Sequence, residues 1–575
     1  MRQQVPVKAS HRSKQTGSIL VVAMISILSV AAIAAGTNAV LTQSTVTANE
    51  KTRALQGMSV ADSLRLQSAR GPNVLKDLSA NLYGNFGSFT ADAKKDKDAE
   101  FFDGIVEVGT RQYGYSIRSG LQTVNTKSDL KSAAPNIETV CQLPDNQKLG
   151  DSIDLTCNLD NVDVTIQDPW RIKNLTKEIK LEFMLKNSSL EFIDDFEVYG
   201  EKVEIFLKDS KNSPIDFRGA FAAVADTDQA YVELKSLQNR SATFEDGMIV
   251  AGKKAELMLE DLKNTDLSVG GPLVVDGRDD ESRVEIKNLR NRTFDVAGPV
   301  YIAGEKSELI INDQKNTAIT FSDRVIVDGG SSSSYTEIKS IENKAIAFEG
   351  GVTAQGKKPE IRIEELKNSN LSFGDAVKVV STSRPNDEAI LTIKSLTNKA
   401  VEFKGPVLLD GGKASFTFEG LNNARASIGG HTHIFASMGE SLFQIKGLKN
   451  KSTKAKDDFF ITGAPAEFKF ENLKNSDVRF NTRVYVAPNQ LSTQAKGKNG
   501  SLSVGGLSKY TEYESSNTCN DFGSVICTTT ANNRAAIDNA HANVAAPSLS
   551  AIKKEIGYAA ADGESGGEIK RRAVQ

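Results

Sequence analysis

Thirteen asparagines recur in this chain at nearly constant intervals, and no other feature limits its fold so tightly. They are Asn161, Asn187, Asn212, Asn239, Asn264, Asn291, Asn316, Asn343, Asn368, Asn398, Asn423, Asn450 and Asn475. Successive gaps are 26, 25, 27, 25, 27, 25, 27, 25, 30, 25, 27 and 25 residues. A period in this range is the mark of a solenoid, whose stacked units each bury one face against the next. The expected fold is therefore mainly β, a parallel β-solenoid of about 13 coils over residues 155–485.

Other positions keep the same register. Two residues before Asn stands Leu or Ile (Leu185, Leu237, Leu262, Leu289, Ile341), with Ser210 and Gln314 as exceptions. Three and five residues after it come apolar residues again, the fifth often Phe: Phe192, Phe217, Phe244, Phe321, Phe348, Phe373 and Phe403. Apolar residues two apart mean a strand with one buried face. Each unit then reads as one coil of about three short strands. Stacking at about 4.8 Å per coil makes the Phe positions an inward aromatic column, and twelve intervals span roughly 58 Å. Asn belongs at a bend, where its amide bonds neighbouring coils and satisfies turn backbone groups. The pattern resembles the asparagine ladder of right-handed parallel β-helices.

The alternation of 25 and 27 defines a true unit of two coils. Short coils turn through Gly-x-Lys, at Lys202, Lys254, Lys306, Lys358 and Lys413; long coils turn through segments such as ADTDQA (225–230) and GRDDES (277–282). Basic and acidic turns alternating along the axis cancel repulsion between neighbours. A row of Glu enters the strand after each turn: Glu204, Glu233, Glu256, Glu285, Glu308, Glu337 and Glu360. Read as seven consecutive coils, these carboxylates would repel unless neutralised. Lys235, Lys287 and Lys339 can do this in the long coils, which makes the row a surface ladder. The functional alternative is a cation-bridged or polysaccharide-binding face.

Catalytic signals are sparse. The nearest candidates are Asp276 to Glu281, including Asp279 and Asp280, and the interruption His431-Thr432-His433. Two His two apart share a strand face, but no third ligand is evident, so a pair of exposed surface histidines is expected, with no metal and no cofactor. A β-helical polysaccharide lyase or hydrolase would need one or two coils broken by clustered carboxylates. The regular Asn row argues against that. The 70 basic and 73 acidic residues are interspersed, for a net charge of -3, which disfavours nucleic acid as a partner. Cysteines fall as two close pairs, Cys141 with Cys157 and Cys519 with Cys527, and neither has metal-site spacing. Disulfides in an exported protein are the natural reading.

The amino terminus supplies the export signal. Arg2, Lys8, Arg12 and Lys14 precede an uncharged stretch from Gln15 to Asn49, whose apolar core is Ile19 to Ala35. Seventeen such residues make a short membrane span, with the basic end held in the cytoplasm. A secretory signal peptide cut near Ala34 and a retained anchor are both compatible with this. Helical periodicity continues through Thr45 to Arg70 and stops at Gly71-Pro72.

A leader ending in Gly17, then SILVVAMISIL, then ANEKTRALQGMSVADSL resembles type IV pilin-like proteins, in particular PilX-type minor pilins. The likeness covers about seventy residues. It implies cleavage between Gly17 and Ser18, other pilin-like subunits and the pilus assembly machinery as partners, and a non-catalytic role in pilus assembly, tip display and adhesion. The fifth mature position is Val22, where major pilins carry Glu, and this fits a minor subunit. The resulting plan is a leader (1–17), a membrane-anchoring helix (18–71), a connector and cap (72–154), the β-helix (155–485), a terminal coil (486–530) and a flexible tail (531–575). The main domain would lie beyond the inner membrane, facing surface polysaccharide or a host or prey surface.

Overall fold

The computed structural model describes residues 123–487 almost continuously, apart from 279, 383–386, 464 and 482–483. Beyond this it describes strand segments at 87–96, 99–108, 111–119, 491–498, 501–504, 512–516, 525–527 and 567–572. The leader, the Gly17–Ser18 junction and the expected anchoring helix lie outside the described residues. No helix among the described residues is long and apolar enough to cross a membrane.

The chain winds through three parallel sheets, one strand of each per coil. Sheet A follows the Asn bend and stacks fourteen strands, from Asp163–Ile166 to Ser501–Val504. Sheet B comes next, with strands such as Phe221–Ala225, Leu273–Asp276 and Val407–Gly411. Sheet C closes the coil with longer strands, from Ser152–Asp160 through Glu281–Lys287 to Leu491–Lys498. Most partners are 25 or 27 residues apart, as in Leu267 beside Phe294 and Phe294 beside Ile319. Parallel stacking thus begins at Ser152. In sheet C it ends where Glu512–Ser516 pairs antiparallel with Leu491–Lys498, whereas in sheet B Val525–Cys527 still adds in parallel to Val484–Ala487.

Inward positions of all three sheets form one continuous core. Phe192, Phe217 and Phe244 stack at 5.0 Å between centroids with planes within 7°. Phe321, Phe348, Phe373 and Phe403 form a second column at 4.9 to 5.3 Å. Val269 and Phe294-Val296 separate the two columns, so the aromatic row is continuous in position but not in chemistry.

The Asn row is a literal ladder. Each amide nitrogen donates to the amide oxygen of the preceding Asn, as in Asn212 to Asn187 at 3.0 Å and Asn316 to Asn291 at 3.1 Å. The chain of bonds runs unbroken from Asn161 to Asn475, and these bonds are solvent-exposed. All thirteen residues have φ between 49° and 71°, the left-handed region that Asn tolerates better than most residues. The ladder amides therefore bond one another on the outside of the bend.

A second left-handed row, not seen in the sequence, lies three residues earlier. Asp209, Ser236, Asp261, Asn288, Asp313, Ser340, Glu365, Ser395 and Asn472 have φ of 50° to 58°, and Gly420 and Gly447 occupy the same position. From Asn212 onward each bend is thus a pair of left-handed residues flanking the buried Leu/Ile position. The exceptions to that apolar row are both satisfied. Ser210 accepts from Leu185 N at 3.2 Å, and Gln314 accepts from Leu289 N at 3.0 Å and donates to Ile286 O at 2.9 Å. The two-coil unit also has a polar basis. From Asn212 to Asn368, alternate coils carry a buried hydroxyl after Asn that bonds a carbonyl, as Thr265 does to Leu237 O at 2.9 Å; the coils between carry Arg240, Arg292 or Lys344.

Two short helices, Lys127–Ala133 and Ile137–Val140, close the first coil. Leu130, Ala134, Ile137 and Val140 plug the open core, and the Trp170 indole donates to Pro135 O at 2.9 Å. The Cys141–Cys157 disulfide ties this cap to the first strand of sheet C. Of the other expected pair, Cys519 lies outside the described residues. A separate unit holds Gly87–Asp96, Ala99–Val108, Arg111–Ser119 and Gly567–Arg572 as an antiparallel sheet in that order.

Candidate functional site

The outward face of sheet C carries all seven glutamates singled out in the sequence. Its register corrects one expectation. The seven do not form a single row. Glu204, Glu256, Glu308 and Glu360 share one row, with Tyr231, Arg283 and Tyr335 between them. Glu233, Glu285 and Glu337 share the next row, two residues along, with Met258 and Ile310 between them. The glutamates alternate between eight and six residues before their Asn, because the two extra residues of a long coil lie in the turn ahead of the strand. Like charges in one row are therefore two coils apart, roughly 9.6 Å, and adjacent-coil repulsion is avoided by register.

Cations then take up the remaining charge. Lys202, Lys254 and Lys306 reach Glu204, Glu256 and Glu308 at 2.8, 2.7 and 2.7 Å. Arg283 binds Glu285 at 2.8 Å and lies 3.8 Å from Glu308. Arg362 holds Glu360 at 2.7 Å and sits over the Tyr335 ring. Lys235 bonds Glu260 of the next coil at 2.7 Å, closer than Glu233 of its own strand at 3.8 Å. That bond holds Glu260 below the usual carboxylate range. Burial, followed by the Glu233 and Glu256 charges, pushes the Tyr231 hydroxyl up, so it stays a neutral donor. Tyr335 donates to Glu337 at 3.1 Å. The face is a dense, mutually neutralised checkerboard with two rings, Tyr231 and Tyr335, in one row.

A shallow open groove of about 630 Å³ runs beside it for five coils, along the second left-handed row. Lys287, Arg290, Lys315 and Lys367 line it with Asn288, Asp313, Ser340, Glu342 and Glu365. Donors and acceptors are interspersed along the axis there. Such a surface suits an extended, hydroxyl-rich chain lying parallel to the rod.

The other sequence candidates separate. Asp276 is buried on the outer side of sheet B, and its carboxylate accepts from Arg278 N at 3.1 Å. Glu281 lies across the turn in sheet C, where burial opposes ionisation but Lys306 at 2.9 Å and Lys254 at 3.7 Å outweigh it and lower its pKa. Asp279 lies outside the described residues. The two histidines also part. His431 is in the turn ahead of the strand Thr432–Ala436, with Nδ1 3.3 Å from Asp457. His433 is buried, contrary to the exposed pair expected, and stacks on Phe460 with centroids 4.5 Å apart. His431, Asp457 and Asp458 offer ligand atoms within 4.8 Å of one another. A third potential ligand therefore exists, supplied by the next coil at a distance the sequence does not reveal.

No family model, curated protein or solved structure matches this chain. The functional reading accordingly rests on the residues themselves.

Proposed function

We propose that the chain is an exported, membrane-anchored surface protein of the minor-pilin type, whose β-solenoid is a rigid rod displayed for pilus assembly and adhesion. The observation that supports this reading is the repeated lateral patterning. Among the described residues the Asn ladder runs from Asn161 to Asn475, the Phe columns continue on either side of Val269 and Val296, and the charge checkerboard recurs from coil to coil. A rod with such sides suits repeated weak contacts along a polysaccharide or cell surface, with the groove beside sheet C as the natural seat. The leader and apolar run at residues 1–39 support export and anchoring beyond the inner membrane, in contact with pilin-like subunits.

Mass analysis of the mature amino terminus tests this. A start at Ser18, lost when Gly17 is replaced, is the expected result. A start near Gly36 would leave a secreted rod and sink the pilin reading.

One observation favours a second reading, a polysaccharide-degrading enzyme. Glu440 and Glu467, on neighbouring coils, hydrogen-bond through their carboxyls; burial first, then this contact, raises the Glu440 pKa. A carboxyl whose pKa is raised in this way suits the general acid that polysaccharide cleavage requires. Cleavage of uronate-rich polymers abolished by Glu440→Gln would favour the enzyme over the rod.

A further inference from the structure

A line of cations borders the Asn ladder. From Asn187 to Asn475, eight of the residues directly before a ladder Asn and five of those directly after it are Lys or Arg, and a single one, Glu342, is acidic. The cation changes side without leaving the coil. Where the residue before Asn is Gln238, Glu342 or Thr397, the residue after it is Arg240, Lys344 or Lys399. The coil of Asn423 alone has no such neighbour, and there Arg425 stands two residues on. Eleven of these twelve coils therefore hold a positive charge next to the ladder, at steps of about 4.8 Å over roughly 53 Å.

This edge is charged in a way that the glutamate rows of sheet C are not. There, register keeps like charges two coils apart. Along the ladder Lys186 lies directly beside Lys211, Arg290 beside Lys263 and Lys315, and Lys449 beside Lys474. Like charges so placed destabilise the stack. Few acids offset them. Glu342 lies 3.9 Å from Lys315 and 3.7 Å from Lys367, Asp160 lies 3.4 Å from Lys186, and Asp266 lies 3.5 Å from Arg292. Lys211, Arg240, Lys263, Lys344, Lys449 and Lys474 are exposed and make no ion pair among the described residues. Acids of the second left-handed row are engaged elsewhere: Asp261 accepts from Asn288 and Glu365 from Ser340.

We propose that this ladder edge binds a polyanionic polysaccharide, a chain of acidic sugars laid parallel to the rod. The inference rests on the adhesion reading and deepens it by naming the chemistry of the polymer held. Arg290, Lys315 and Lys367 also line the groove beside sheet C, so the edge forms a charged wall of that seat. Spacing and chemistry select the partner. Steps of about 4.8 Å are shorter than the screening length of about 10 Å at 0.1 M salt, so neighbouring cations act together as a line of charge. An extended chain of acidic sugars presents anions in a line and hydroxyls between them. Each ladder amide spends one N–H and one lone pair on its neighbours and keeps one of each for a hydroxyl. Nucleic acid fits less well. A duplex winds its phosphates away from a straight edge within each helical turn, and single strands use aromatic platforms, of which the positions flanking the ladder Asn hold none.

The test measures binding of the full chain, in a neutral detergent, to polygalacturonate, dextran and single-stranded DNA by titration calorimetry. Polygalacturonate should bind best, and its affinity should fall about tenfold or more between 50 and 200 mM salt as counterions return. Lys211→Glu, Lys263→Glu, Lys344→Glu and Lys449→Glu together should weaken that binding about tenfold or more, while Lys→Arg at the same four positions should leave it intact. A control with the same change in net charge away from the ladder, Lys148→Glu, Lys253→Glu, Lys357→Glu and Lys404→Glu, should bind as the unaltered chain does; all four of its lysines are exposed. Equal loss in the control, full binding by the ladder variant, or loss in the Lys→Arg variant would overturn the assignment. Preference for single-stranded DNA would overturn it in favour of a nucleic acid. Binding to dextran alone would overturn the anionic partner and leave the adhesion reading standing, whereas binding to none of the three would sink both.

Discussion

Replacing Asn316 with alanine removes two rungs of the exposed ladder, the bond it donates to Asn291 and the one it accepts from Asn343, both 3.1 Å. Solvent competes for both partners, so each rung is worth about 0.5 kcal/mol, the low end for a protein hydrogen bond. The backbone adds more. At φ 56° a residue with a Cβ but no local hydrogen bond pays about 1–2 kcal/mol. The alanine variant should therefore lose about 2–3 kcal/mol. Asn316→Gly keeps the dihedral without strain and loses the rungs, so it should fall short of alanine by about 1 kcal/mol despite glycine's entropy. Urea denaturation followed by circular dichroism reads the totals. Hydrogen exchange reads where opening starts, which should be at the bonds from Lys315 N to Leu289 O and from Asn343 N to Lys367 O, because each coil contacts only its neighbours. Equal damage from glycine and alanine would refute the dihedral argument. A neutral alanine would refute the ladder.

Three further outcomes are expected. Phe348→Ala, at a fully buried ring stacked 4.9 Å from Phe321 and 5.3 Å from Phe373, should cost about 3–5 kcal/mol, and a loss under 1 kcal/mol in denaturant titration would show that the column is not packed as described. Lys378 is 7 % exposed, and burial, partly opposed by Asp375, lowers its pKa from 10.5 to about 8. The unfolded chain then holds more protons than the folded one between those values, so stability should rise with pH from about 8 to 10.5; Lys378→Met should flatten that slope, and an unaltered slope by thermal melts across this window would count against the buried ammonium. Arg283→Ala should cost no more than about 1 kcal/mol, because its ion pairs are partly solvated. A double-mutant cycle with Glu308→Ala at low and high salt should show a coupling that shrinks with salt, and a salt-independent coupling would contradict a solvated checkerboard.

The repeat was legible because every coil must meet the same geometric demand. Asn at a left-handed bend, Leu two residues before it and Phe five after it recur because a solenoid offers each coil an identical neighbour. Sequence alone thus gave the coil length, the three strands, the inward Phe columns and the two-coil unit. It did not give the lateral partners. The glutamates looked like one row because their offset from Asn, eight then six residues, matters only once strands are laid side by side. The second left-handed row was hidden because Asp, Ser, Asn and Glu meet one backbone demand with different side chains. His431 met Asp457 and Asp458 across a coil boundary, and His433 became buried and stacked on Phe460 of the next coil, contacts that only the stacking of coils creates. Local pattern thus determined what each coil is, and stacking decided which residues of neighbouring coils share a row or a charge.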